Sequence, residues 1–326
     1  MPDIKLLKDL QALPLDMKVA LTKQRIREWV REYGVDGVFI SFSGGKDSTV
    51  LLHICYELYG NQIPAIFSNT KNEFSSIIKQ VRDTKEWYKN VHTVMSDKSI
   101  GDVIKEHGYP VVSKKVSRML RDLQNPTEKN AISRNLYLTG IKQDGTKTGH
   151  FKLAEKHRYL LDAKFTISEK CCDELKKKPM KSYEKETGRK PIIATLAAES
   201  KMREQSYLIH GCNNYVKEAS TPMGFWLEQD VLQYILENNI KIADVYGEVK
   251  VDKNLDGSTR IYTTGEDRTG CVACILGMEN ERKLEKNRIQ RLYDIEPKKY
   301  YYVVDTLGFK DVLEFMNYNY KVDDNK

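Results

Sequence analysis

Two sets of residues in this 326-residue chain have types and spacing suited to chemistry. The first is Ser43-Gly44-Gly45-Lys46-Asp47-Ser48-Thr49. Adjacent glycines adopt backbone angles that a side chain forbids, and they let a ligand approach the main chain closely. A helix opening at Ser48 and Thr49 presents free N–H groups, which attract an anion. Lys46 adds a mobile positive charge. The combination suits phosphate. It is not the Walker loop G-x-x-x-x-G-K-[ST], because the glycines are adjacent and an Asp follows the Lys. The second set is cysteine. Of the six, Cys55 and Cys212 stand alone, while Cys171-Cys172 and Cys271-x-x-Cys274 form tight pairs. Adjacent cysteines bond each other only with backbone strain, yet both can ligate one centre. Four thiolates suit a [4Fe–4S] cluster or tetrahedral zinc, and their spacing does not separate the two.

The elements that must position these residues follow from periodicity. Residues 38–42 are a short apolar run of β-formers, as a central parallel strand requires. Val50, Leu51, Leu52, Ile54 and Leu58 give the next segment an apolar helical face. Residues 63–67 predict a second strand, 75–89 an amphipathic helix and 91–95 a third strand. This alternation predicts an α/β fold, an open and mostly parallel sheet with helices on both faces, followed by a C-terminal helical region. Thr70 and Glu73 follow the second strand, at the end where open parallel sheets bind ligands. Residues 191–196 predict another strand, with Glu199, Ser200 and Arg203 behind it. Arg203 either holds a phosphate through two donors or pairs with Glu199 at i, i+4. Lys114, Lys115 and Arg118 read as an anion-facing loop or an exposed basic helix start. Asp144-Gly145 predicts a hairpin turn between 136–142 and 146–152. Residues 228–239 predict an amphipathic helix, 247–265 a polar hairpin around Asp256-Gly257, and 278–318 a helical region. The expected organisation is an N-terminal helical segment (1–34), a nucleotide-binding α/β domain (35–215) with an insertion at about 121–165, and a mostly helical region (216–326) carrying the Cys-x-x-Cys.

Composition sets bounds. The net charge of +7 is compatible with a nucleotide or nucleic-acid partner. Lys176-Lys177-Lys178 reads as a solvated face. No apolar run approaches bilayer length, and residues 1–8 are charged and lack an apolar signal core. The expectation is a cytoplasmic protein without a membrane partner. Paired cysteines in that compartment indicate metal or redox chemistry rather than a disulfide framework.

Ser-Gly-Gly-Lys-Asp-Ser resembles the PP-loop of the ATP pyrophosphatase (adenine nucleotide alpha-hydrolase) superfamily. That superfamily includes the sulfonucleotide reductases and ATP-dependent thiolation enzymes of nucleic acids. Residues 69–74 resemble the second motif of the phosphoadenosine phosphosulfate (PAPS) reductase family. Thr70, Glu73 and Phe74 match it; Asn69 stands where Asp is usual and Lys71 where Gly is usual. Glu199, Ser200 and Arg203 match a further motif, Gly-x-Arg-x-x-Glu-Ser-x-x-Arg, in which Ala194 and Leu196 replace the Gly and the first Arg. The Cys-Cys pair with Lys and Pro behind it, then a distant Gly-Cys-x-x-Cys, resembles the iron–sulfur members.

This resemblance covers about residues 35–277. It implies an adenine nucleotide, ATP or APS/PAPS with Mg²⁺, held by Ser43, Gly44, Gly45, Lys46, Asp47, Ser48, Thr49, Thr70 and Glu73, with Lys46 and Asp47 in catalytic roles. It implies substrate anions at Lys114, Lys115, Arg118 and Arg203, and a [4Fe–4S] cluster on Cys171, Cys172, Cys271 and Cys274. Reductases of the family carry a nucleophilic cysteine in a C-terminal Glu-Cys-Gly segment. No cysteine follows Cys274 here, so only Cys212 remains for that role. The favoured expectation is therefore ATP-dependent activation of an acceptor for sulfur transfer, with a tRNA or DNA acceptor and a sulfur donor protein as partners. APS/PAPS reduction and a non-catalytic nucleotide-binding subunit are the alternatives.

Overall fold

The computed structural model describes residues 3–253, 257 and 259–322. In chain order the first half contains α1 (Ile4–Gln11), α2 (Leu15–Tyr33), β1 (Val38–Phe42), α3 (Lys46–Tyr59), β2 (Ala65–Asn69), α4 (Ser75–Thr84), β3 (Val91–Met95), α5 (Ile100–His107), α6 (Lys114–Gln124) and α7 (Ala131–Thr139). The second half contains α8 (Lys178–Thr187), β4 (Lys190–Ile193), α9 (Lys201–His210), β5 (Asn213–Asn214), β6 (Ala219–Ser220), α10 (Glu228–Glu237), β7 (Val249–Lys253), β8 (Thr259–Thr263), α11 (Arg288–Ile295), α12 (Pro297–Tyr301) and α13 (Phe309–Phe315).

The chain forms two compact units that interleave in sequence. One comprises residues 1–69, 73–95 and 179–269; the other comprises 70–72, 96–178 and 270–326. The first is α/β. Its six-stranded sheet has the order β3-β2-β1-β4-β6-β5, parallel throughout except for the β5–β6 pair. From β1 the chain steps outward to β2 and β3, then returns to β4 on the other side of β1. The order thus reverses between β1 and β4. In open α/β sheets the crevice at such a reversal, beyond the carboxyl ends of the strands, is where ligands bind. The loop after β1 is the Gly44-Gly45 loop, and the segment after β4 leads to Glu199. Val38, Phe39, Ile40 and Phe42 are all buried, so β1 is apolar on both faces, as a central parallel strand must be. A buried ion pair ties α2 to α10, with Lys18 Nζ 2.8 and 2.7 Å from the two Asp230 oxygens. Asp230 also caps α10 by accepting from the Leu227 N–H at 2.6 Å.

The second unit is mainly helical among the described residues, with α5, α6, α7 and α11–α13. A parallel bridge joins Tyr109 and Ile167. It is reinforced by Tyr109 N–H to Thr166 O and Ser168 N–H to Tyr109 O, both 2.9 Å.

Several boundaries differ from the sequence expectation. The second strand begins at Ala65 rather than at 63, because Pro64 has no N–H to give the ladder, and the first bond is Ala65 N–H to Asn90 O at 2.9 Å. The glycine-loop helix starts at Lys46, two residues before Ser48. Residues 136–142 do not form the predicted hairpin arm, because α7 occupies 131–139. A capping box on Thr127 and Asn130 precedes it, and Gly140 stops it at φ +73°. What remains of that hairpin is one bridge, Ile141 with Lys147. β7 and β8 form the arms of the predicted polar hairpin, while Asp256 of its turn lies outside the described residues. No helix among the described residues is long and apolar enough to cross a membrane.

Candidate functional site

The loop after β1 is built by its own small side chains. Ser48 Oγ accepts from the Ser43 N–H at 3.1 Å and lies 2.9 Å from Ser43 Oγ. The Ser48 and Thr49 hydroxyls donate to Gly45 O at 2.9 and 3.0 Å. Ser43 Oγ accepts from the Gly45 N–H at 3.3 Å. Gly44 lies at φ +72°, and a Cβ there would come within 2.9 Å of Val81 Cγ2 and 3.2 Å of the Ile77 carbonyl on α4. Only glycine fits that turn. Gly45 has an ordinary φ, but its Cβ would face hydroxyls: Tyr246 Oη at 3.1 Å, Ser43 Oγ at 3.2 Å and Thr269 Oγ1 at 3.7 Å. Gly45 is also the N-cap of α3 and brings no side chain to it. A helix N-terminus with glycine at the cap and hydroxyls around it has the chemistry that attracts an anion.

The groups surrounding this loop come from far along the chain, and the sequence reading missed them. The Lys46 ammonium is buried and donates to Glu228 Oε1 and to Asp267 O, both at 2.5 Å. It also lies 5.4 Å from the centre of the Tyr246 ring. Tyr246 Oη accepts from the Lys46 N–H at 3.3 Å and lies 2.7 Å from Thr269 Oγ1. Burial pushes the Tyr246 phenol up to about 12, so it is a neutral donor at pH 7. The segment carrying Asp267 and Thr269 is held to Tyr246 by Gly265 N–H to Tyr246 O at 2.8 Å. An aromatic residue in a Gly-bounded loop, 200 positions from Lys46, offered little for sequence reasoning to use.

Asp47 is half-buried, and burial raises its carboxyl above the ordinary value, with the Lys46 charge opposing. Arg203, expected as an anion contact, is in direct contact with Glu199, the alternative i, i+4 pairing. Arg268 approaches the same carboxylate at 3.8 Å. Burial and the Arg268 charge pull the Arg203 guanidinium below its ordinary value. Two guanidiniums sharing one carboxylate leave excess positive charge near Asp47.

In the second unit, Thr70 is buried and closes a tight turn. Its hydroxyl accepts from the Asn72 N–H at 3.2 Å, and its carbonyl accepts from Asn72 Nδ2 at 2.6 Å. Lys71 takes φ +62°, the left-handed backbone, at the position where the resembled motif carries Gly. Asn72 O then accepts from the Val272 N–H at 2.7 Å, inside the Cys-x-x-Cys segment. Glu73, in the first unit, is half-buried and immediately precedes the N-cap of α4.

All four paired cysteines belong to this second unit. Cys171 is buried, and the other three are half-buried. The Cys171–Cys172 hydrogen bond raises the Cys171 thiol; burial and the charges of Cys172, Cys274 and Cys271 push it further the same way. The same hydrogen bond, with help from Lys114 and Lys176, lowers Cys172. Burial raises Cys274, opposed by the Leu276 N–H and the Arg288 charge. Arg288 fixes the segment by donating to Leu276 O at 3.0 Å and to Glu281. The four sulfurs therefore interact electrostatically, although no three His, Cys, Asp or Glu among the described residues stand in metal-holding geometry. Four cysteine sulfurs are a donor set of the thiolate type, and Lys114 lies beside Cys172. Of the basic residues at the start of α6, Lys114 faces Cys172, Lys115 donates to His150 O, and Arg118 is exposed.

Cys212 is buried in the first unit, and burial raises its thiol to about 11. Cys55 is fully buried, and burial raises it further still.

Residues 37–151 match the phosphoadenosine phosphosulfate reductase domain. The match takes in the glycine loop, Thr70, Glu73, Lys114, Lys115 and Arg118. It stops before all four paired cysteines, Glu199 and Arg203. Over 73 residues the chain is 33% identical to an uncharacterized protein of Methanocaldococcus jannaschii, covering 22% of this chain and 15% of that relative. The crystal structure of PAPS reductase from Candida auris, in a phosphate complex, aligns over 75% of this chain and 91% of that chain, at 14% identity and a TM-score of 0.40.

Proposed function

We propose that this chain is an enzyme of sulfur chemistry related to the PAPS reductases, and that it binds ATP and activates an acceptor for sulfur transfer. The observation that carries the nucleotide half is the glycine-capped N-terminus of α3 behind Gly44, at the point where the sheet order reverses. In this reading the β- and γ-phosphates lie against the Gly44-Gly45 backbone and the Ser43 and Ser48 hydroxyls. Lys46 leaves Glu228 and Asp267 O and neutralises the departing pyrophosphate. An acceptor oxygen attacks the α-phosphorus, the bond to the β-phosphate oxygen breaks, and pyrophosphate leaves with that electron pair. Sulfur then displaces AMP from the adenylated acceptor, a tRNA or DNA group supplied with sulfur by a donor protein. Asp47 orients the loop. Mg²⁺, when bound with the nucleotide, would supply charge neutralisation.

Cys171, Cys172, Cys271 and Cys274 would hold a [4Fe–4S] cluster, whose chemistry is electron or sulfur handling. Zinc is the competing occupant for the same thiols.

The state of Cys212 favours ATP over sulfonucleotide reduction. A reductase needs an accessible thiolate to attack sulfur. Cys212 is buried, with its thiol raised to about 11. The test is turnover by oxygen-free protein with two substrates. Mg·ATP with sulfide and RNA should release pyrophosphate. PAPS with thioredoxin should release no sulfite, and Cys212→Ala should change neither result. Sulfite release that Cys212→Ala abolishes would overturn the assignment.

A further inference from the structure

Positive charge is concentrated in one part of this chain. Residues 111–178 hold sixteen Lys and Arg against eight Asp and Glu, a net of +8, while the whole chain carries +7. The remainder is therefore close to neutral. The segment contains the 140–152 turn region, for which the site described above has no use.

That region brings cations and aromatic rings together. Ile141 bridges Lys147, and the Thr148 N–H donates to Gly140 O at 2.7 Å. A Cβ on Gly140 would lie 3.3 Å from Lys152 Cβ, so Lys152 packs against the same turn. Lys115 reaches over from α6, donates to His150 O and lies 5.7 Å from the centre of the Phe151 ring. Phe151 is 42% exposed and packs edge-on against His150, with ring centres 4.9 Å apart. Lys142, Lys147 and Lys152 are exposed, and Lys142 also acts on the Asp144 carboxyl. Asp144, the acid in the turn, is committed to the Thr146 N–H at 2.9 Å.

We infer that this face binds an unpaired nucleic-acid strand. Lysines spaced around an exposed aromatic ring match its chemistry, with ammonium groups on the phosphates and a base stacked on Phe151. A paired duplex offers phosphates but hides its base faces, so Phe151 would have nothing to stack on. The inference gives the proposed acceptor a docking face. It rests on that reading for its purpose only, since strand binding is measured without nucleotide.

The test is fluorescence anisotropy with labelled single-stranded RNA, single-stranded DNA of the same sequence, and a blunt duplex, each over a range of salt. Two variants are compared with the parent: Lys115→Ala/Lys142→Ala/Lys147→Ala/Lys152→Ala, and Phe151→Ala. The single strands should bind. The lysine variant should flatten the salt slope by about 0.7 for each phosphate that its missing ammonium groups no longer neutralise. Phe151→Ala should weaken binding about tenfold at unchanged slope. Whichever strand binds more tightly identifies the sugar. No strand binding, an unchanged slope in the lysine variant, or duplex preferred over single strand would overturn the inference. Mg·ATP titration of the same proteins keeps the two claims apart. Strand binding without ATP binding refutes the proposed function alone, and ATP binding without strand binding refutes this inference alone.

Discussion

Alanine at Gly44 and alanine at Gly45 should fail in different ways. At Gly44 the backbone is at φ +72°, which costs an L-residue about 1–2 kcal/mol. The added methyl would also lie 2.9 Å from Val81 Cγ2 and 3.2 Å from the Ile77 carbonyl. Relief requires movement of α4, and overpacking of this kind costs about 1–3 kcal/mol. Gly44→Ala should therefore lose about 2–5 kcal/mol of stability, a drop in Tm on the order of 5–10 °C. At Gly45 φ is −79°, an ordinary value. The close atoms are hydroxyl tips at 3.1 and 3.2 Å that can rotate away. Its stability change should stay within about 1 kcal/mol, the poorer N-cap offset by a stiffer unfolded chain. The Gly45→Ala methyl does fill the cradle between Ser43, Tyr246 and Thr269, so ATP binding should weaken at least about tenfold, or 1.4 kcal/mol. Denaturant unfolding and Mg·ATP titration of both variants give the comparison. The reasoning is refuted if Gly44→Ala is as stable as the parent, or if Gly45→Ala binds ATP as the parent does.

Other outcomes follow from the same geometry. Asp47→Asn should stabilise the fold at neutral pH and lose that advantage as the pH falls. Burial raises the folded carboxyl above its unfolded value of about 3.9, so ionisation on going up in pH costs the folded state; unfolding at pH 7 and pH 3 gives the sign. Lys18→Met should cost about 3–5 kcal/mol by stranding buried Asp230, and Lys18→Met/Asp230→Leu should recover part of it in a double-mutant cycle. Cys212, raised to about 11, should resist iodoacetamide at pH 8 in folded protein and react on unfolding, read by mass spectrometry. Protein purified without oxygen should hold about four irons and four acid-labile sulfides per chain. Cys171→Ala/Cys274→Ala should lose them, and zinc or no metal in the parent would contradict the cluster.

The glycine loop was legible because everything that makes it is local. An apolar run, two glycines and a helix with one apolar face follow one another directly; β1 falls where those signals put it, and α3 begins two residues early. The partners of Lys46 were not legible. Glu228 and Asp267 lie 182 and 221 positions away, and only the return of the chain to β4 and α10 brings them in. Arg203 illustrates a choice that sequence leaves open. A phosphate contact and an i, i+4 pair with Glu199 compete for the same guanidinium, and the fold has the pair. Residues 136–142 were misread because Leu136, Tyr137, Leu138 and Thr139 suit a strand or a helix. The cap at Thr127 and the stop at Gly140 decide for the helix.

The most direct test of the central claim is equilibrium titration of Mg·ATP into oxygen-free protein, with Lys46→Met alongside. The account predicts one site per chain, with affinity weakened at least about tenfold in the variant. Absence of saturable ATP binding to the parent, or equal binding by Lys46→Met, would contradict it.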